Sequence, residues 1–485
     1  MSALDHSPIG PAADVVVVGG GVLGTAIALR LAMTDASVVL LEREDDVCEG
    51  SSKGNAGITT TYYAAHGTLE ASVIAESWPR WEDICGRLDV PFRRPGALTV
   101  ALNADQEGRL EALADDATAA GARAVRIVGG EEARRMEPEL APDVRAAMVL
   151  PDEGIIDPVR LTWAYAELAS ANGADVRLST RVTGFDTDGG GRLIGVQTTR
   201  GSIGCRFVVN AAGLGAGIVS GLAGGEPLDP RPRKGQYWVL DRAFGARMRK
   251  IVLPVPTPQT RGVQVVPTTN GSVLLGPSAD DIDDETDRAT DAEELATIVR
   301  LCRALVPSVS AEYAIKTYAA NRAATGVETL RLRPDPTVPN LVQVGNRSTG
   351  MSCSPAVADR VLELLRSQGL EAHERADATS ALPKVRRLLL DDDPETLDQD
   401  DVRYRQVVCA CEAVTAAEIS ASLTARVPAT SIEGIRKRTR ATGGRCQGSV
   451  CMAGVAFLCS LEQGLPPQDV RHSMHGGTLG VGHVE

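Results

Sequence analysis

Aromatic residues are scarce in this 485-residue chain, where Phe, Trp and Tyr together make up 3% of positions. That leaves no stock of stacking platforms for single-stranded nucleic acid. Positive charge is also in deficit, with 50 Lys and Arg against 63 Asp and Glu, a formal net charge of −13. Such a balance excludes non-specific nucleic-acid binding over the whole surface. No apolar run approaches the roughly 20 residues that span a bilayer. The opening stretch "MSALDHSPIGPAAD" lacks a charged-then-apolar leader and reads as a flexible tail over residues 1–13. A cytoplasmic location is therefore expected. Histidine is rare, six in all, which restricts the choice of general bases. Of the ten cysteines, six (Cys48, Cys85, Cys205, Cys302, Cys353 and Cys459) stand alone and read as small buried hydrophobes.

What is present is enough apolar sequence, 43% against 23% charged, to build sizeable cores, and a length that implies two or three domains. Residues 14–42 read "DVVVVGGGVLGTAIALRLAMTDASVVLLE". The β-branched run Val15–Val18 has the composition of a parallel strand covered on both faces. Gly19, Gly21 and Gly24 then form G-x-G-x-x-G ahead of an Ala/Leu-rich helix, and a second apolar strand, Val38–Leu41, ends on Glu42. In this pattern the first glycine makes the tight turn, the second lets backbone approach a pyrophosphate, and the third allows close helix–strand packing. Glu42 is placed to accept hydrogen bonds from ribose hydroxyls. The spacing alone leaves FAD and NAD open.

"EGSSKGNAGITTTYYAAHGTLEA" (Glu49–Ala71) supplies small and polar residues that bring backbone amides towards phosphates or a flavin ring. Here the chain resembles the FAD-dependent oxidoreductase family that includes D-amino-acid, glycine, glycerol-3-phosphate and 2-hydroxyglutarate oxidising enzymes. Further stretches carry the resemblance: "PDEGIIDPVRLTWAYAELASANGADV" (its P-x-x-G-x-x-D-P segment), "VVNAAGLGA" (Val208–Ala216, with Gly215 where Trp is common) and "GNRSTGMSCSPAVA" (Gly345–Ala358). They extend from about residue 14 to 366. The resemblance implies FAD as cofactor, held by Gly19, Gly21, Gly24, Glu42, Ser51, Ser52, Asn55, Gly57, Gly350 and Met351. It also implies an inserted antiparallel substrate sheet, for which "GALTVAL" and "GSVLLG" have suitable alternation.

Arg322 in "IKTYAANRAAT" matches the arginine of the family's Y-x-G-x-R-P segment, with Ala323 in place of Pro. A guanidinium there holds a carboxylate or phosphate through two parallel hydrogen bonds. "PTTNGSVLLGPSADD" (Pro267–Asp281) resembles the glycerol-3-phosphate and 2-hydroxyglutarate branch. That branch commonly carries a histidine soon after N-x-G, where this chain has Ile58-Thr59-Thr60-Thr61. Hydride abstraction from an alcohol needs a base for the hydroxyl proton, and His66 is the histidine near this loop. "NAGITTTYYAA" is also similar to D-amino-acid dehydrogenases, and an amine is oxidised in its neutral form without a dedicated base. An amine or amino-acid dehydrogenase (D-amino acid, glycine or sarcosine, opine type) is thus an alternative. A non-catalytic electron-transfer subunit is another.

Past residue 370 the α/β pattern gives way to "LPKVRRLLLDDDPETLDQDDVR", an acidic, Pro-containing run. Then "VVCACEAVTAAEISASLTA" places Cys409 and Cys411 as C-x-C before a capping box, Thr415 to Glu418. "GGRCQGSVC" places Cys446 and Cys451 as C-x4-C. Four thiolates in two pairs suit a tetrahedral zinc or a [2Fe–2S] cluster, although zinc ribbons favour C-x2-C. The segment resembles the bacterioferritin-associated-ferredoxin-like [2Fe–2S] domain, in the form fused to the large subunit of anaerobic glycerol-3-phosphate dehydrogenases. The resemblance implies a cluster ligated by Cys409, Cys411, Cys446 and Cys451. "IRKRTR" (Ile435–Arg440) is a basic run just ahead of Cys446, and "HSMHGG" reads as part of a mobile tail.

The expected architecture is α/β: a Rossmann-type FAD-binding domain with an inserted antiparallel β-sheet substrate domain (14–370), a linker (371–403), a small helical C-terminal [2Fe–2S]-binding domain (404–470) and a tail (471–485). The expected activity is dehydrogenation of a small acidic substrate of the glycerol-3-phosphate or 2-hydroxy-acid type. Flavin yields electrons singly to a [2Fe–2S] centre, so the acceptor is expected to be a quinone or a partner subunit, in a possible hetero-oligomer.

Overall fold

The computed structural model describes residues 12–257, 260–324, 329–385, 387–388, 401–473 and 477–479. Most of the expected tails, residues 389–400 of the expected linker and His475 lie outside the described residues. None of the described helices is long and apolar enough to cross a membrane.

The run of β-branched residues does form the central strand of a sheet. Ala13–Val18 is flanked in parallel by Val38–Leu41 and Gly201–Asn210, with Asp175–Arg177 and Leu341–Asn346 beyond them, also parallel. Val15 and Val17 are fully buried under helices Val22–Ala32, Pro158–Ala171 and Gly350–Ser367, which cover one face, while Val16, also fully buried, packs on the other face with Val196, Ile203 and Val219. The hairpin Val182–Thr187/Leu193–Thr198 extends from the edge of Gly201–Asn210. Leu330–Pro334 pairs antiparallel with Leu341–Asn346. The parallel strands all point the same way, so their C-terminal ends open one crevice, where ligands of such sheets bind.

A second, nine-stranded sheet comes from the segments between these strands. Ala97–Ala101 and Val273–Gly276 both belong to it, as the alternation of their sequences implied. It is antiparallel except at one seam, where Ala97–Ala101 runs parallel to Ile251–Pro254. That seam joins strands from two separate excursions of the chain, which no hairpin ties together. The long strands Arg231–Leu240 and Ala314–Ala324 pair along nearly their whole length and carry Arg322 towards the crevice.

The C-terminal module is a short hairpin, Val407–Cys409/Val414–Thr415, with helices Ala416–Leu423, Ile432–Thr439 and Met452–Gln463. Its small core includes Ile419, Ile435, Val455 and Cys459, all fully buried. The capping box forms: the Thr415 hydroxyl accepts from Glu418 N, and the Glu418 carboxylate accepts from Thr415 N. Residues 371–385 do not stand free as a linker would. His373 and Arg375 are tied to Asp35 and to the Asn172 carbonyl, and Thr379 N to Asn172 Oδ1. These hydrogen bonds seal the end of helix Pro158–Ala171.

The module docks against the nucleotide-binding sheet through buried charge. Arg438, 2% exposed at its side chain, donates to both oxygens of Asp46 at 2.7 and 2.9 Å. Lys437 pairs with Asp46 and Glu49. The guanidinium groups of Arg160 and Arg438 each lie 5.5 Å from the centroid of the Trp163 ring, and its indole N–H donates to the Val427 carbonyl. On the other side, Arg242, in the short helix that follows strand Arg231–Leu240, donates to Glu412, and Arg445 to Asp241.

Candidate active site

Gly19 adopts φ +113° immediately after the first strand, a turn that L side chains rarely make. The helix that follows begins at Val22, whose N–H donates to Ser52 Oγ. At the tip of the second strand, Glu42 accepts from Gly20 N at 2.6 Å and from Glu44 N at 2.9 Å. Burial pushes its carboxyl pKa up, against the pull of those two N–H groups. Ser51 donates to the Asn321 carbonyl, which ties the phosphate-side loop to the substrate sheet.

These residues surround a cavity of about 1120 Å³ that runs between the two sheets. Gly19, Gly21, Glu42, Ser51, Ser52, Asn55, Gly350, Met351 and Arg322 all border it. Two expected residues do not. Gly24 packs the helix onto the turn, where a Cβ would run into the Gly19 carbonyl oxygen. Gly57 sits at a turn against the Ile156 carbonyl and its N–H is held by Asn55 Oδ1. Both act on the shape of the cradle from behind.

His66 is corrected by the structure. It is exposed, its backbone N–H donates to Asp116, and it is not among the residues bordering the cavity. The loop following Tyr63 turns outward before it reaches His66, so a base for substrate must be sought elsewhere.

Arg322 donates from one terminal nitrogen to the Ser278 carbonyl at 2.8 Å, while its Nε is buried with no partner. Gly235 on the neighbouring strand lies against Pro277, whose Cβ would be 2.9 Å from a Cβ placed there. Arg261 is another cation of the cavity wall, 4.7 Å over the Tyr63 ring and 5.5 Å over Tyr62. Glu153 also borders the cavity. No motif or spacing singles out Glu153, Gly235 or Arg261. Their partners lie far away along the chain, 93 residues in the case of Glu153 and Thr60.

The volume, the open glycine-lined mouth and the helix start fit a dinucleotide with a small anion beside it. The four module cysteines fit a two-iron cluster. Their thiols interact as pairs, Cys411 with Cys446 and Cys409 with Cys451, and the pairs also act on each other. Among the described residues no three His, Cys, Asp or Glu side chains are arranged to hold a single metal ion. A two-iron centre instead takes two thiolates on each iron. Backbone N–H groups, led by that of Val450, bring the Cys446 thiol down to about 7, so thiolate is accessible at neutral pH. Burial pushes Cys451 up to about 11.

Residues 14–364 match the family model described as FAD dependent oxidoreductase, about three quarters of the chain. The chain belongs to that family. Residues 407–458 of the oxidoreductase match the BFD-like [2Fe-2S] binding domain, so the chain is an FAD-dependent oxidoreductase that carries an iron–sulfur relay. The glycerol 3-phosphate dehydrogenase of Caloramator mitchellensis is 30% identical over 475 residues, 97% of this chain and 98% of that one. The anaerobic glycerol-3-phosphate dehydrogenase subunit A1 of Haloferax volcanii is 27% identical, over 90% of this chain and 81% of that one. Among solved structures, the FAD-bound, dithionite-reduced L-α-glycerophosphate oxidase of Mycoplasma pneumoniae superposes with a TM-score of 0.72 at 25% identity, over 77% of this chain and 99% of that one.

Proposed function

We propose that this oxidoreductase dehydrogenates glycerol 3-phosphate, or a 2-hydroxy acid of similar size, and passes the electrons through the module's cluster to a separate acceptor. The observation that carries the reading is Arg322, a guanidinium at the wall of the FAD cavity whose one hydrogen bond among the described residues goes to the Ser278 carbonyl. A phosphate or carboxylate beside it makes charge-assisted hydrogen bonds that a neutral alcohol cannot. The near-full-length likeness to the Caloramator mitchellensis glycerol 3-phosphate dehydrogenase supports the choice of substrate.

The roles divide among the chain's own residues. The Gly19–Gly24 turn and Ser51–Ser52 hold the dinucleotide phosphates, Glu42 the ribose, and the residues opening helix Gly350–Ser367 the ring edge. Arg322 and Arg261 hold the anionic end of the substrate and so fix its reacting carbon. Bound flavin supplies a two-electron acceptor that releases electrons one at a time. Cys409, Cys411, Cys446 and Cys451 hold the relay, and the partial exposure of Cys411 and Cys446 turns one side of it outward, where a quinone or a partner subunit can approach.

Anaerobic absorbance titration of the purified chain tests this. The panel is glycerol 3-phosphate, 2-hydroxyglutarate, several D-amino acids and an N-alkyl amino acid. Glycerol 3-phosphate should bleach the flavin and then the iron–sulfur bands. Bleaching by an amino acid instead would overturn the substrate assignment. Bleaching by none would overturn the assignment of substrate chemistry to this chain.

A further inference from the structure

Oxidising an alcohol by hydride transfer leaves a proton that some group must take. Among the described residues no histidine borders the cavity; its acidic wall residues are Glu42, Glu44, Glu49, Glu153 and Glu285. Glu42 and Glu44 sit at the end of the second strand, where the ribose binds. Glu49 is neutralised by Lys53 and Lys437. Glu285 lies in the acidic surface loop that follows Asp281. Glu153 differs from all of these. It is 2% exposed, opens the strand Gly154–Ile156, and borders the substrate-domain end of the cavity together with Thr60 and Tyr62.

Its hydrogen bonding is one-sided. Oε1 accepts from Thr61 N at 2.6 Å, Thr61 Oγ1 at 2.8 Å, Thr60 Oγ1 at 3.1 Å and Tyr62 N at 3.4 Å. Oε2 accepts none among the described residues and is not one of the sealed, partnerless polar atoms. The loop that holds Oε1 is itself fixed, with Thr60 N donating to Ser352 Oγ at 3.0 Å and Ser352 Oγ to the Ile58 carbonyl at 3.1 Å. One carboxylate oxygen is thus anchored, and the other is left to the cavity.

We propose that Glu153, through Oε2, is the proton acceptor of the dehydrogenation, with Thr60 and Thr61 as the residues that position it. The inference rests on the alcohol-dehydrogenase reading above. In the step, the hydroxyl proton of the substrate passes to Glu153 Oε2 as the C–H hydrogen and its electron pair pass to the flavin. The C–O bond becomes a carbonyl, and the proton then leaves Glu153 for water. Burial is the main influence on this carboxyl and lifts its pKa to about 7, against the Thr60, Thr61 and Tyr62 hydrogen bonds that favour its charged form. That value suits a base working near neutrality. Of its charged and titratable neighbours, Tyr62 has its hydroxyl donating to Asp116 and its ring facing Arg261, and Asp152, the preceding residue in the chain, is paired with Arg94 at 4.0 Å.

The test compares the wild-type holoenzyme with Glu153→Gln and Thr61→Val. Anaerobic flavin reduction by glycerol 3-phosphate is followed against pH, and the affinity for inorganic phosphate is read from the flavin spectrum. Glu153→Gln should slow reduction at pH 8 by about 10²-fold or more and abolish the acid limb of the profile. Phosphate affinity and FAD content should stay unchanged. Thr61→Val removes a hydrogen bond to the charged form and should move the acid limb to higher pH. An unchanged rate or limb in Glu153→Gln overturns the proposal, as does loss of phosphate binding in proportion to rate. If Glu153→Gln does not retain FAD, the Thr61→Val limb decides: an upward shift supports the proposal and no shift overturns it. If glycerol 3-phosphate fails to reduce even the wild type, the functional reading fails instead. Infrared titration then decides for Glu153, because a protonated-carboxyl band should grow in as pH falls through about 7 in wild type and be missing from Glu153→Gln.

Discussion

Replacing Arg438 by alanine tests how the iron–sulfur module is held against the flavin domain. The substitution deletes a two-pronged ion pair with Asp46, whose side chain is 4% exposed. It also deletes one of the two cations over Trp163. What stays behind is a buried carboxylate with Lys437 at 3.5 Å and Val47 N at 2.8 Å as its remaining partners. Breaking a buried pair from one side costs about 3–5 kcal/mol, most of it the stranded charge. Four kcal/mol is a factor of about 10³ in the docking equilibrium. Asp46 lies between Glu42 and Ser51, so the loosened loop is the FAD cradle itself. Arg438→Ala should therefore lower both the unfolding midpoint and FAD retention on desalting. The pH response has a definite sign. Burial pushes the Asp46 carboxyl up, but the Arg438 charge and hydrogen bonds, with Lys437, outweigh it and hold it below the ordinary value. Its contribution is present above the ordinary carboxylate range and is lost as pH falls through the depressed value. Without Arg438 the loss begins at higher pH. The decisive assay is a double-mutant cycle of Arg438→Ala with Asp46→Asn by urea unfolding, where a coupling above about 1.5 kcal/mol is expected. Coupling below about 0.5 kcal/mol would refute the reasoning.

Arg322→Lys keeps the charge but loses the planar fork, and should raise KM for an anionic substrate by about 10–100-fold, the value of one or two charge-assisted hydrogen bonds; steady-state kinetics checks it. Cys409→Ser should abolish the iron–sulfur absorbance and cluster reduction while flavin reduction by substrate persists, seen in one anaerobic titration. Gly24→Ala forces a Cβ into the Gly19 carbonyl, and should produce mostly FAD-free protein with a lowered thermal midpoint. His66→Ala should change kcat/KM by less than about twofold, since the residue is exposed and off the cavity.

The nucleotide-binding half was legible in the sequence because its signals are local. A β-branched run, three glycines at fixed spacing and an acidic strand end each act within about thirty residues, and they specify a strand, a turn and a helix N-terminus with little help from the rest of the chain. The cysteine pairs were legible for the same reason, since each pair sits within one turn of backbone and the capping box beside the first is set by four consecutive residues. Tertiary structure alone decided which side chains share the cavity. His66 has the right chemistry and the right neighbourhood in sequence, yet its loop leaves the cavity. Glu153 gained its buried place because a strand pair, Ile58–Thr59 with Gly154–Ile156, brings together residues more than ninety positions apart. The parallel seam of the second sheet and the Asp46–Arg438 pair, 392 residues apart, have the same origin. Periodicity and motif spacing report which face of an element is buried. They carry no information on which distant element covers it, and the burial that lifts Glu153 and the ion pair that ties down the docked module exist only once that cover is in place.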